Sequence, residues 1–354
     1  MHTILLAPGR YLQGPAALQA LPAEAERLGR GVALMLDDFA ARQLLPRLTA
    51  LFDSQGGLAA TQILTGANSE ANACQHAATL RAVGARVLIG VGGGKVLDAA
   101  KAAAELADCS LILVPTAAST DAPCSAVAVM QTDEGRFSHY RFLRRSPSTV
   151  LVDTTLIASA PPRMLVAGMG DALSTWFEAE EACVQGWRNV AGSPPAPFAL
   201  IAARHCYDMV TQHGLAAITE LGTGQPGEAF ERVVEANILL SGIGFESGGL
   251  GTAHAIQNGL STLAECRGAL HGELVTIGLL AMLRLSAEAA HYAKVRDFAA
   301  CIGLPVSLAE IGLAAVCDDT LHAAAVLACT PAPMSRVAAG IHPSALVAAL
   351  RGLA

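Results

Sequence analysis

Uninterrupted apolar runs mark the first half of the chain. Residues 31–36, 86–91, 110–114 and 149–153 are short stretches rich in Val, Leu and Ile, and 60–64 (Ala-Thr-Gln-Ile-Leu) is a plausible further strand. A strand with one wet face alternates polar and apolar positions. Runs without alternation predict strands covered on both faces, as in a parallel sheet. Helical spacing fills intervening stretches such as 15–28 and 72–83, so strand and helix alternate and an α/β domain is expected. Ala160-Pro161-Pro162 is the clearest break, and β signals fade beyond it. Helices are expected there at 171–184, 197–211, 228–243, 254–263, 271–290 and 335–353, the last interrupted near Gly340 and Pro343. Turns are expected at 191–197 and 222–227. Two domains follow: an α/β domain over 1–160 and an all-α domain over 161–354.

Composition narrows the classes of function. Of 354 residues, 53% are apolar but only 4% are aromatic, which suits helices closely packed through Ala, Leu and Val. A net charge of -7 argues against a nucleic-acid partner, since phosphate binding needs a basic surface. Arg141, Arg144 and Arg145 form one modest cationic cluster, read as a solvated turn. The nine cysteines are scattered without a C-x-x-C pair, as in reduced intracellular proteins. Residues 1–6 lack the basic flank and cleavage site of a signal peptide. The apolar stretch 274–283 is far shorter than the ~20 residues a membrane span needs. A cytoplasmic protein without membrane partners is the expectation.

Two places carry candidate chemistry. The run 87–91 leads into Gly92, Gly93, Gly94 and Lys95, and a helix then opens through Asp98. Glycines allow backbone N–H groups to approach an anion, and a helix N-terminus adds unpaired donors, so a pyrophosphate suits this turn. The spacing is not G-x-G-x-x-G. Asp37 ends the run 31–36, where a carboxylate can accept from a ribose and favours NAD over NADP. The hydroxyl-rich loop 115–125 ends another strand and can line the nicotinamide and ribose. Farther along, Asp171, His254 and His271 each lie beside glycine or alanine in helical context, with Asp171 expected to start its helix. One carboxylate and two imidazoles suit Zn²⁺, or less selectively Fe²⁺, and leave positions open for substrate. His254 and His271 are too far apart for one helix face. They meet only if two helices begin side by side. Spacing alone leaves open that all three are cap or core residues.

Several blocks together resemble the glycerol dehydrogenases of the metal-dependent, "iron-containing" alcohol dehydrogenase superfamily. They are GVGGGKVLDAAK (90–101), VPTAASTDAPCSAV (114–127), SPSTVLVDT (146–154), PPRMLVAGMGDALSTWFEAEEA (161–182), EANILLSGIGFESGGLGTAHAIQNGLS (235–261) and ALHGELVTIG (269–278). The resemblance implies the dehydroquinate synthase-like fold: an N-terminal Rossmann-like domain with a parallel sheet and a helical C-terminal domain, with an active site in a cleft between them. It implies NAD and Zn²⁺ as cofactors, a small polyol as substrate and a homo-oligomer, commonly an octamer. Asp171, His254 and His271 match its metal ligands. Gly92, Gly93 and Gly94 match the pyrophosphate turn, Asp37 the ribose acid, and Thr116, Ser119, Ser125 and Val127 cofactor contacts. Asp121 matches a residue near the substrate hydroxyls. Gln131 stands where a tyrosine near the nicotinamide is usual, and Gln257 where a histidine is common. Cys266-Arg267-Gly268 lacks histidines often found there. The implied reaction is NAD-dependent, zinc-assisted oxidation of glycerol or a related vicinal diol to the hydroxyketone, and its reverse. A hydroxycarboxylate or other alcohol dehydrogenase of the superfamily is the alternative. A non-catalytic NAD- and metal-binding protein is the reading from another class. Dehydroquinate synthase and glycerol-1-phosphate dehydrogenase, which act on phosphorylated substrates, need cations that the helical domain lacks near the three ligands.

Overall fold

The structure, a computed structural model, describes residues 2–224, 226–286, 289–332 and 334–353. It divides into two compact units. One comprises Leu6–Ala118 and Ala122–Ala160. The other comprises Met1–Leu5, Ser119–Asp121 and Pro161–Ala354.

The first unit is built on a parallel sheet. Its strands are β1 (Tyr11–Gly14), β2 (Val32–Leu36), β3 (Ala60–Ile63), β4 (Val87–Gly92), β5 (Ser110–Pro115) and, after a hairpin, β8 (Thr149–Asp153), in the order β1-β8-β5-β4-β2-β3. Every residue of β2, β4 and β8 is buried, which is what their unbroken apolar runs demand. Successive side chains enter opposite cores. Leu34, Leu36, Ile89 and Val91 meet α1 (Leu21–Leu28) and α2 (Asp38–Phe52). Ala33, Met35, Leu88 and Leu113 meet α3 (Glu70–Ala82) and α4 (Gly94–Ala107). Gly90 interrupts the apolar run because a Cβ there would lie 2.6 Å from Ala100 Cβ, so α4 packs directly on the strand. Two features escape the sequence pattern. β1 is short and half-buried, and β6 (Val127–Gln131) with β7 (Phe137–Phe142) forms a separate antiparallel hairpin whose outer strand is largely exposed. A short helix, α5 (Thr154–Ala158), follows β8.

The second unit contains no strand among the described residues. Its helices are α6 (Pro162–Gln185), α7 (Pro197–Gly222), α8 (Glu228–Glu235), α9 (Ser241–Gly248), α10 (Thr252–Leu260), α11 (His271–Leu285), α12 (Ala289–Ile302), α13 (Asp318–Cys329) and α14 (Pro343–Arg351). A π-helical turn, Ala236–Leu240, joins α8 to α9. Three expectations are corrected. Asp171 lies well inside a 24-residue helix, because Gly168 and Gly170 are buried within α6 instead of ending it, and Gly170 packs closely on Thr276 and the Gly272 carbonyl. The helix expected from residue 335 begins only at Pro343, which suits a first turn. The helix expected over 271–290 ends at Leu285, and α12 starts separately at Ala289. Residues 287 and 288, and Gln225 in an expected turn, lie outside the described residues. No helix among the described residues is long and apolar enough to cross a membrane.

Candidate functional site

Glycines at helix crossings assemble the helical unit's site. A Cβ on Gly272 would fall 1.8 Å from the Ala167 carbonyl oxygen, and one on Gly170 would fall 2.5 Å from the Gly272 carbonyl oxygen. So α6 and α11 touch backbone to backbone, next to Asp171 and His271. Gly278 does the same for α11 and α10, since its Cβ would lie 2.3 Å from the carbonyl oxygen of Ala253 beside His254. His271 is the first residue of α11 and His254 lies in the first turn of α10, so two helix starts do bring the imidazoles together.

Asp171, His254 and His271 present ligand atoms that all lie within 4.8 Å of one another. The Nε2 atoms of His254 and His271 lie 3.3 and 3.4 Å from the same oxygen, Asp171 Oδ1. Asp171 is buried, and neither carboxylate oxygen receives a hydrogen bond among the described residues. A buried carboxylate without donors is costly unless a positive charge compensates it. No Lys or Arg pairs with it among the described residues. A buried acid bare of donors, facing two imidazole nitrogens, is the donor set of a divalent cation. Burial opposes ionisation of Asp171, but the charge of His271 and contacts with both imidazoles overcome it and hold its pKa below the usual carboxylate value.

Around this trio stand Asp121, expected near the substrate, and Glu178, Ser241 and Thr175, which carry no such expectation. Glu178, two turns along α6 from Asp171, is fully buried. Its Oε2 lies 2.6 Å from His254 Nδ1, and its Oε1 accepts the N–H groups of Gly251 and His254. Burial disfavours the His254 cation, but Glu178 and Asp171 outweigh that and raise its pKa well above the ordinary imidazole value. The i, i+7 spacing of two acids on one helix was the available signal. Asp121 belongs to the same unit. Ser241, the first residue after the π-helical turn, donates to its Oδ2 at 2.6 Å, and Thr175 Oγ1 lies 2.8 Å from Ser241 Oγ. Burial, reinforced by the charge of Asp171, pushes the Asp121 carboxyl well above the usual range.

The α/β unit holds a cavity of about 490 Å³ where β2, β3 and β4 end. Strand order reverses there, because β2 pairs with β3 on one side and β4 on the other, and such switch points open a crevice beyond the strand ends. Its wall includes Asp37, Gly93, Gly94 and Lys95. Asp37 caps α2 through Oδ1 and accepts the Gly93 N–H through Oδ2 at 2.9 Å. Gly92 has a φ of 144° and admits no Cβ, which would lie 2.2 Å from that Oδ2. Nothing would meet a Cβ on Gly94, which opens onto the cavity with the N-terminus of α4.

Other expected cofactor residues are not in this wall. Asp98 is buried, and burial raises its carboxyl pKa. It accepts from the Val129 N–H and pairs with Lys101. Lys101, fully buried, donates to Ser125 Oγ and to the carbonyls of Ala122 and Val127, tying α4 to the loop before the hairpin. Gln131 Oε1 accepts from the Asn68 N–H, and Thr116 N–H donates to the Gly92 carbonyl. Ser119 clusters with the helical unit beside Asp121. Nothing in the sequence separates Lys101 from a surface helix lysine.

Comparison with known proteins fits this architecture. Residues 8–154 match the model of a family described as iron-containing alcohol dehydrogenase. The chain is 43% identical to a glycerol dehydrogenase of Thermotoga maritima over 331 residues, covering 93% of this chain and 90% of the relative. A crystal structure of a probable glycerol dehydrogenase from Sinorhizobium meliloti 1021 superposes with a TM-score of 0.91 at 34% identity, covering 99% and 98% of the two chains. One from Schizosaccharomyces pombe gives 0.92 at 32%, covering 99% and 90%. The chain belongs to the iron-containing alcohol dehydrogenase family. It is an alcohol dehydrogenase, similar over nearly its whole length to glycerol dehydrogenases.

Proposed function

We propose that this enzyme oxidises glycerol or a related vicinal diol to the hydroxyketone, and catalyses the reverse, with NAD as hydride carrier and Zn²⁺ held by Asp171, His254 and His271. The single observation that carries the reading is the buried Asp171 carboxylate, bare of hydrogen-bond donors among the described residues and faced by two imidazole nitrogens. When bound, the cation supplies Lewis acidity toward the alcohol oxygen, and the nicotinamide supplies the hydride acceptor. The protein's own groups bind and orient. Asp121, steadied by Ser241, takes a second hydroxyl of the diol. Gly93, Gly94 and the first turn of α4 take the pyrophosphate, while Asp37 takes the adenosine ribose and disfavours a 2'-phosphate. Thr116, Ser119, Ser125, Val127 and Gln131 belong to the cofactor's remaining surroundings.

Replacing His254 with Ala is expected to lower kcat with glycerol by on the order of 10³-fold or more. NAD binding, followed by fluorescence titration, should be unchanged. Turnover retained in the variant would remove the metal assignment. A panel of glycerol, 1,2-propanediol and 2-hydroxy acids, run before and after chelation and Zn²⁺ restoration, tests the substrate. Preference for a 2-hydroxy acid would replace the diol.

A further inference from the structure

Glu178 is locked in one orientation. Its Oε1 accepts two backbone N–H groups, Gly251 at 2.9 Å and His254 at 2.8 Å, whose hydrogens cannot be moved elsewhere. Its Oε2 receives Ser174 Oγ at 3.3 Å and lies 2.6 Å from His254 Nδ1. The side chain is fully buried, and its ion-pair partner among the described residues is His254. A carboxylate held this way can only accept. Nδ1 must then carry hydrogen, and the lone pair of the neutral ring sits on Nε2, the atom that faces Asp171 at 3.3 Å.

We propose that Glu178 is a positioning residue that fixes the Nδ1–H tautomer of His254, so that Nε2 is the ligand atom, and that it couples this choice to the start of α10. The inference rests on the metal-centre reading above and names a residue outside the ligand set. The residue that precedes α10 is Gly251, which has no side chain to cap it, so Glu178 serves both the helix start and the ring.

The amide variant separates those two duties. In Glu178→Gln, the amide oxygen still accepts from Gly251 and His254, so the helix start survives. Its NH₂ then points at Nδ1, which must accept, and the hydrogen moves to Nε2, where it blocks a ligand. Turning the amide over would set NH₂ against two backbone N–H groups. Glu181 is the matched control. It accepts from Thr252 N–H at 2.8 Å and Thr252 Oγ at 2.7 Å at the same helix start, with no contact to the ring among its hydrogen bonds.

The experiment uses full-length protein stripped of metal by chelation. Zn²⁺ affinity is measured by competition with a chromophoric chelator, and the histidine tautomer by magic-angle-spinning ¹⁵N spectra of histidine-labelled protein reloaded with Zn²⁺, in which a ligating ring is neutral. Glu178→Gln is expected to bind Zn²⁺ 10- to 100-fold more weakly than wild type, with a metal-free melting temperature close to wild type. Glu181→Gln is expected to retain wild-type affinity. Undiminished affinity in Glu178→Gln, or an equal loss in Glu181→Gln, would overturn the proposal. So would a wild-type His254 without hydrogen on Nδ1 in the Zn²⁺-loaded protein, a reading that needs no variant to fold. Wild type that binds no Zn²⁺ at all would instead overturn the metal-centre reading, and this inference with it.

Discussion

Glu181 carries a cost that its pH dependence should reveal. Burial pushes its carboxyl from about 4.5 up to about 7, although Thr252 donates to it twice, and the nearby charge of Glu178 adds to the rise. Below about pH 4.5 the group is protonated both folded and unfolded, and it imposes no penalty. Between about 4.5 and 7 the unfolded chain releases the proton while the folded protein keeps it, so stability falls as pH rises. Above about 7 the penalty is constant, at most about 3 kcal/mol. Glu181→Gln should therefore gain stability relative to wild type across that window, followed by denaturant unfolding at stepped pH. Parallel pH profiles for the two proteins would refute this assignment.

At the scale of elements, the crossings decide where the candidate ligands Asp171, His254 and His271 meet. Gly272 lets α11 rest on the backbone of α6, so its methyl variant cannot be accommodated by a side-chain rotation. Gly272→Ala should destabilise the protein by about 1–3 kcal/mol through overpacking. It should also weaken Zn²⁺ binding, because the shift falls between Asp171 and His271. Thermal unfolding with and without Zn²⁺ checks both, and a variant as stable as wild type would mean the helices are not in contact. The strands obey a different rule. Gly90 and the surrounding apolar residues of β4 made that strand readable, because burial on both faces leaves no room for polar positions. The hairpin β6–β7 was not readable, because its exposed outer strand needs no apolar pattern.

At the scale of the whole molecule, each unit carries its own candidate ligand chemistry, and ligands should protect them separately. A ligand that binds only the folded state stabilises it by about 2.7 kcal/mol at a hundredfold excess over Kd. Zn²⁺ alone should slow hydrogen exchange around the starts of α10 and α11 and around Asp171. NAD alone should slow it at the turns from β2 into α2 and from β4 into α4. Exchange that slows in neither place on adding the respective ligand would remove that site.

What the sequence determined by itself was the alternation of buried strands and helices, the glycine turn after β4 and the acid after β2. These are local consequences of burial and backbone freedom, and a few consecutive residues express them. It also supplied Asp171, His254 and His271 as residue types, but from spacing alone each could equally have been a cap or a core residue. Only the tertiary structure brought them together. Their meeting depends on how closely three helices cross, and that distance is set by missing side chains at Gly170, Gly272 and Gly278 against backbone far away in sequence. For the same reason Glu178, Ser241 and Lys101 stayed hidden: what each does is defined by partners distant in the chain, His254 for Glu178, Asp121 for Ser241 and the loop carbonyls of Ala122 and Val127 for Lys101.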